Sequence, residues 1–289
     1  MFSRQWNFST SPFCNSYNTR FFHESLEHEE SLARLLFLIE QRRKLGILSG
    51  PAGMGKSFVM RVIHEQLDRS QRQPVFVNLN GLDSDELVWE IASQLALTPD
   101  NTQSPAAMWQ EIKDSLAGAH FAHLQTVFLF DHVDLCEQST ASFLRRLYQL
   151  NFGGNTWTTI LLATHSESIS ETVRSFQDLA DLSVKLSPLD EIETGNYVQA
   201  LLQKAGCEQS LFSHSSVAAL HGYSAGIPAT INRLCDLSLV AGLTLQRETI
   251  DESIVDAAAQ ELEILGSTAG LNETESEILS DRSSSFFPG

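Results

Sequence analysis

The stretch Leu45-Gly46-Ile47-Leu48-Ser49-Gly50-Pro51-Ala52-Gly53-Met54-Gly55-Lys56-Ser57-Phe58 runs from a short apolar segment directly into a complete G-x-x-x-x-G-K-[ST] pattern. Residues 58–67 carry helical periodicity, so the motif lies between an expected strand and an expected helix. In that setting the glycines let backbone N–H groups converge on phosphate oxygens, and Lys56 reaches the β- and γ-phosphates of a nucleoside triphosphate. Ser57 stands where its hydroxyl would meet Mg²⁺, at the positive end of the helix. The expected phosphate cradle is Gly50, Pro51, Ala52, Gly53, Met54, Gly55, Lys56, Ser57 and Phe58. The plainer alternative, a glycine turn with a solvated lysine, has no use for the flanking strand and helix.

Working outward, Leu32, Leu35, Leu36 and Ile39 predict an amphipathic helix ending before Lys44. Short apolar runs at 45–49, 75–79, 126–130, 158–163 and 183–186 then alternate with helical patterns at 83–97, 105–122, 139–150 and 166–178. Continuous apolar strands separated by helices predict an α/β fold, a parallel sheet covered by helices on both faces, with the ligand at the C-terminal ends of the strands. After Ser187-Pro188-Leu189 the strand signal stops. Helical patterns follow at about 190–205, 215–222, 228–243 and 251–265, a small all-helical domain. The expected partition is an N-terminal segment and helix over 1–44, a P-loop domain over 45–187 and a helical domain over 188–265. The remaining 266–289, rich in Ser, Thr, Glu and Gly, is expected to be disordered.

Composition narrows the function classes. The chain has 289 residues, 42% hydrophobic, with a formal charge of −17 and five lysines, one of them Lys56. That leaves no broad basic surface to neutralise a nucleic-acid backbone, so nucleic-acid binding is not expected. The first residues lack the layout of a secretory signal, and no apolar run approaches the ~20 residues that span a bilayer, so no membrane span and a cytoplasmic location are expected. Cys14, Cys136, Cys207 and Cys235 show no C-x-x-C spacing and fit reduced thiols.

A P-loop enzyme needs an aspartate at the end of a second apolar strand to hold the Mg²⁺ shell, usually followed by a glutamate that orients the attacking water. Val127-Phe128-Leu129-Phe130-Asp131-His132-Val133-Asp134 supplies Asp131 for the metal. The next position is His132, whose neutral imidazole lacks the carboxylate's charge, so slow hydrolysis is expected unless Asp134 or another carboxylate substitutes. Leu161-Leu162-Ala163-Thr164-His165 ends the next strand. Thr164 is the residue expected to face the γ-phosphate or the water, with a strand-end cap as the alternative.

Together with the P-loop, Pro12-Phe13, Phe21-Phe22, His28, Glu30-Ser31-Leu32-Ala33-Arg34-Leu35 and above all Gly226-Ile227-Pro228-Ala229-Thr230-Ile231-Asn232-Arg233-Leu234-Cys235-Asp236 resemble the general secretion pathway protein A-type ATPases of the AAA+ class. The resemblance covers about residues 8–262. It implies a RecA-like sheet domain and a helical lid, with ATP and Mg²⁺ as ligands and Lys56, Asp131, His132 and Thr164 in catalytic roles. It further implies ATP-driven assembly or remodelling of a protein partner, such as a secretion complex at the cell envelope, and leaves open self-association into a homo-oligomer. The sequence departs from the family at Ala229, where members commonly carry an ATP-sensing arginine, and Arg233 lies one helical turn further on. For the arginine that members insert into a neighbouring subunit's site, Arg174 is the nearest candidate, with Arg145 and Arg146 weaker ones. These departures, with the missing glutamate, keep open a second reading, a non-hydrolysing nucleotide-binding scaffold; a third, a DNA-associated helper ATPase of the transposition type, is opposed by the acidic balance.

Overall fold

Five apolar segments pair side by side, and the polar residues at their ends determine where each stops. In the computed structural model, which describes residues 6, 8–13, 26–100, 102–150, 157–165 and 171–262, they are β1 (Leu45–Gly50), β2 (Arg72–Asn78), β3 (Gln125–Asp131), β4 (Thr158–His165) and β5 (Leu182–Lys185). All are parallel, in the order β2-β3-β4-β1-β5. β3 is buried along its whole length, as a central strand covered on both faces must be. Its Phe128 and Phe130 stack at 5.7 Å and join Leu45, Ile47, Val75, Val77, Ile160 and Leu162 in the main core. Each such side chain contributes roughly 1.5–3 kcal/mol when fully removed from water.

The helices of this unit are α1 (Leu26–Glu40), α2 (Lys56–Gln66), α3 (Ser84–Gln94), α4 (Pro105–Phe121), α5 (Gln138–Gln149) and α6 (Glu171–Gln177). α3 starts at a capping box in which Asp83 accepts from Glu86 N–H and the Glu86 side chain accepts from Asp83 N–H. α4 starts at Ser104 followed by Pro105, a cap and a first-turn proline. β2 begins three residues before the expected run and includes Pro74, which a parallel ladder tolerates because β2 is the edge strand. Gln94 covers that edge, its Oε1 accepting from Phe76 N–H at 2.8 Å and its Nε2 donating to Phe76 O at 2.7 Å.

Backbone contacts divide the chain into two compact units, Tyr17–Pro188, which holds the sheet, and Leu189–Gly289 joined by Met1–Ser16. The second unit contains α7 (Glu191–Lys204), α8 (His214–Ser224), α9 (Pro228–Thr244) and a further helix, α10, over 252–262. Asp190 and Glu193 form another capping box at the start of α7. Trp6, Phe8 and Phe13 are buried in this unit; Trp6 Nε1 donates to Glu248 O at 3.2 Å, and Ser9 N–H donates to Ala205 O at 2.8 Å. Phe13 meets Phe212 edge to face at 6.2 Å. The expected disordered tail 266–289, Phe21-Phe22 and Cys14 lie outside the described residues. Cys207 and Cys235 are buried free thiols, and Cys136 is partly exposed.

Candidate nucleotide-binding site

The strand order brings the chemistry together. β1 lies beside β4 in register, with Gly50 opposite His165, and β4 lies beside β3, which ends in Asp131. The loop after β1 therefore leaves the sheet next to the ends of the two strands that carry Asp131, Thr164 and His165. Space at Gly50 is tight: a Cβ on it would lie 3.0 Å from Leu186 O and 3.2 Å from Leu186 Cβ on the far side.

Gly53 and Gly55 have φ of +77° and +85°, left-handed values that favour glycine. Ala52 and Gly53 are exposed at the crown of the loop, while Met54 turns fully inward and anchors it. α2 starts at Lys56, after Gly55 at the N-cap with no side-chain cap bond and two residues earlier than the sequence pattern suggests, so Lys56 and Ser57 belong to its first turn. Uncapped N–H groups at a helix start and a glycine crown are what an anion-binding loop requires. The Lys56 ammonium is buried and donates to Gly50 O at 2.9 Å and Pro51 O at 2.8 Å, bonds within the loop that phosphate oxygens can replace. Burial pushes its pKa down, and the Asp131 and Asp134 carboxylates oppose that shift.

Asp131 is buried at the tip of β3, and its Oδ1 accepts from His132 N–H at 3.0 Å. His132 sits at φ 57°, ψ 44° and folds its ring back, Nδ1 lying 3.3 Å from Asp131 Oδ2 without hydrogen-bond geometry. Asp134, in the 3₁₀ turn Val133–Leu135, does not stand free to replace the missing glutamate. Its Oδ1 accepts from His165 N–H at 3.1 Å, its Oδ2 lies 2.8 Å from His165 Nδ1, and its side chain is 1% exposed. Burial pushes the Asp134 carboxyl up, but the His165 backbone N–H, its own N–H and the His165 ring outweigh burial and hold it below the usual carboxylate range. Thr164 is buried, and its hydroxyl donates to His165 O at 3.4 Å.

Sequence reasoning missed two members of the site. His28 on α1 is buried, with Nε2 2.9 Å from Met54 O, and a Cβ on Gly55 would lie 3.4 Å from the same nitrogen. No local pattern at His28 signals a contact with a loop 26 residues away. His165 was legible only as one of two polar residues closing a strand, and its pairing with Asp134 could be suspected from a second aspartate three positions after Asp131. Arg174 is exposed on α6; Arg145 is half-buried, and Arg146 stacks on Trp109 at 4.9 Å. In the helical unit Ala229 lies in the first turn of α9 and Arg233 is exposed one turn on.

Residues 39–171, which enclose the loop and every strand-end residue above, match the family model of the AAA domain. The fold is that of a P-loop AAA+ ATPase. General secretion pathway protein A of Aeromonas hydrophila is 26% identical over 267 residues, which cover 91% of this chain and 48% of the relative. The chain thus spans about half the length of that curated relative, and it resembles a general secretion pathway protein A-type AAA+ ATPase. Among solved structures, Cdc6p from Pyrobaculum aerophilum aligns with TM-score 0.68 and 17% identity over 87% of this chain and 70% of its own. The Aeropyrum pernix ORC1 protein, solved in complex with DNA, aligns with TM-score 0.67 and 15% identity over 87% of this chain and 69% of its own. At these identities the two carry the fold alone. Among the described residues no helix is long and apolar enough to cross a membrane.

Proposed function

We propose that the protein binds ATP with Mg²⁺ at the loop 50–57, hydrolyses it slowly and uses the nucleotide state as a switch on a protein partner. The observation that carries this reading is the buried Lys56 ammonium held by the carbonyls of a glycine-crowned loop, facing the carboxylate end of β3. Lys56 exchanges its two loop carbonyls for β- and γ-phosphate oxygens, and the backbone of 51–56 donates to the same phosphates. Ser57 and Asp131 would hold Mg²⁺ through a hydroxyl and a carboxylate oxygen, the hard donors this ion takes. When bound, the metal neutralises charge that builds on the phosphate oxygens.

Slow turnover follows from His132, which is engaged with Asp131 and lacks the carboxylate of a glutamate at that position. The same observation, with Ala229, favours the second reading, a scaffold that binds nucleotide without turnover. Similarity to general secretion pathway protein A makes an envelope or secretion complex the favoured partner, with self-association of the chain as part of the switch. A DNA-associated role is less favoured: a solved neighbour is in complex with DNA, but the charge here is −17. Phosphate release measured on the purified protein, alone and at rising protein concentration, tests the proposal. Mg²⁺-dependent turnover that climbs per molecule with concentration supports an assembling switch, and tight ATP binding with no release at any concentration supports the scaffold.

A further inference from the structure

α1 reaches the phosphate loop with one side chain. His28, buried in the first turn of that helix, places Nε2 2.9 Å from Met54 O. The helix that carries it is fixed along its length. Leu32, Leu35, Leu38 and Ile39 are buried, a Cβ on Gly46 of β1 would meet Leu38 at 3.0 Å, and Glu27 accepts from Ser187 N–H at 2.9 Å.

That contact determines both a protonation state and a backbone direction. A carbonyl oxygen can only accept, so Nε2 of His28 carries the proton and donates. The acceptor belongs to the Met54–Gly55 peptide, which is planar and trans, with its N–H directed opposite to its C=O. Holding Met54 O toward α1 therefore turns Gly55 N–H away from α1. Gly55, the N-cap of α2, sits at φ +85° with no side chain, so its own structure resists rotation of that peptide only weakly. The ring also lies close against the backbone it holds, since a Cβ on Gly55 would be 3.4 Å from Nε2.

We propose that His28, as the Nε2–H tautomer, is a positioning residue for nucleotide binding: it holds the Met54–Gly55 peptide so that Gly55 N–H faces the β-phosphate. This rests on the nucleotide-binding reading above. Gly55 directly precedes Lys56 and Ser57, so the donor that His28 aims joins those of an uncapped helix start. Without the clamp the peptide divides between orientations, and apparent affinity falls in proportion to the competent fraction. A neutral hydrogen bond is of a size to change that fraction about 3–10-fold, while the charge of Lys56 keeps binding measurable.

Nitrogen NMR of the His28 ring in the nucleotide-free full chain, with calorimetric titration of Mg·ADP into the native protein, His28→Leu and His28→Gln, tests the proposal. Mg·ADP carries the β-phosphate and is not turned over during the titration. The native ring is expected to carry its proton on Nε2, a result read independently of how either variant folds. His28→Leu fills the buried place without a donor and is expected to bind Mg·ADP about 3–10-fold more weakly. His28→Gln, whose amide N–H reaches toward the same carbonyl, is expected to recover most of the affinity, which a purely space-filling role would not produce. A native ring with a bare Nε2, a leucine variant equal to native, or a glutamine variant no better than leucine overturns the assignment and leaves the nucleotide-binding reading standing. A native protein that binds no nucleotide overturns both.

Discussion

At the scale of single residues, the site is organised by buried carboxylates whose oxygens are already engaged. Asp134 is the clearest case, because hydrogen bonds from His165 hold its carboxyl below the usual range in spite of burial. A carboxyl with a depressed folded-state pKa stabilises the protein above its unfolded value of about 3.9 and loses that contribution as pH falls through the folded value. The stability gap between the native protein and Asp134→Asn should therefore be full at pH 6 and close below about pH 4. Denaturant midpoints measured across that range check it, and a gap independent of pH would mean that the charge of Asp134 is not what the fold uses. His132 is the other residue of consequence, since its left-handed backbone and its position over Asp131 follow from the local turn, which residue type alone does not reveal.

At the scale of elements, the glycine of Gly226-Ile227-Pro228 shows why a motif can be legible before its reason is. The segment carries the family resemblance in the sequence, yet only the structure shows that Gly226 has φ +72° and that a Cβ there would lie 2.0 Å from Leu189 O. Leu189 N–H donates to Gly226 O at 3.0 Å, so two strips of backbone pass with no space for a side chain. Gly226→Ala should cost more than the ~1–2 kcal/mol of left-handed strain alone, lowering the melting temperature by several degrees. A thermal scan identical to the native one would contradict that close approach. The strands and helices around the P-loop were legible because apolar runs of strand length alternate with 3.6-residue periodicity. The start of β2 was hidden by Pro74, acceptable only because the strand is at the edge, and the attachment of Trp6, Phe8 and Phe13 to the helical unit depends on contacts about 200 residues apart in sequence.

At the scale of the whole molecule, the net charge bears most directly on the DNA-associated reading. With a net charge of −17, affinity for duplex DNA should be weak and should show little of the steep loss with salt that phosphate contacts produce. Fluorescence anisotropy across a salt series checks this, and a steep slope would restore the DNA-associated reading. The central claim is nucleotide binding through the P-loop lysine, and calorimetric titration of Mg·ATP into the native protein and Lys56→Ala tests it most directly. Alanine keeps the helix but cannot make the charge-assisted bonds to phosphate, so affinity should fall by about tenfold or more. Equal affinities in two folded proteins would contradict the account.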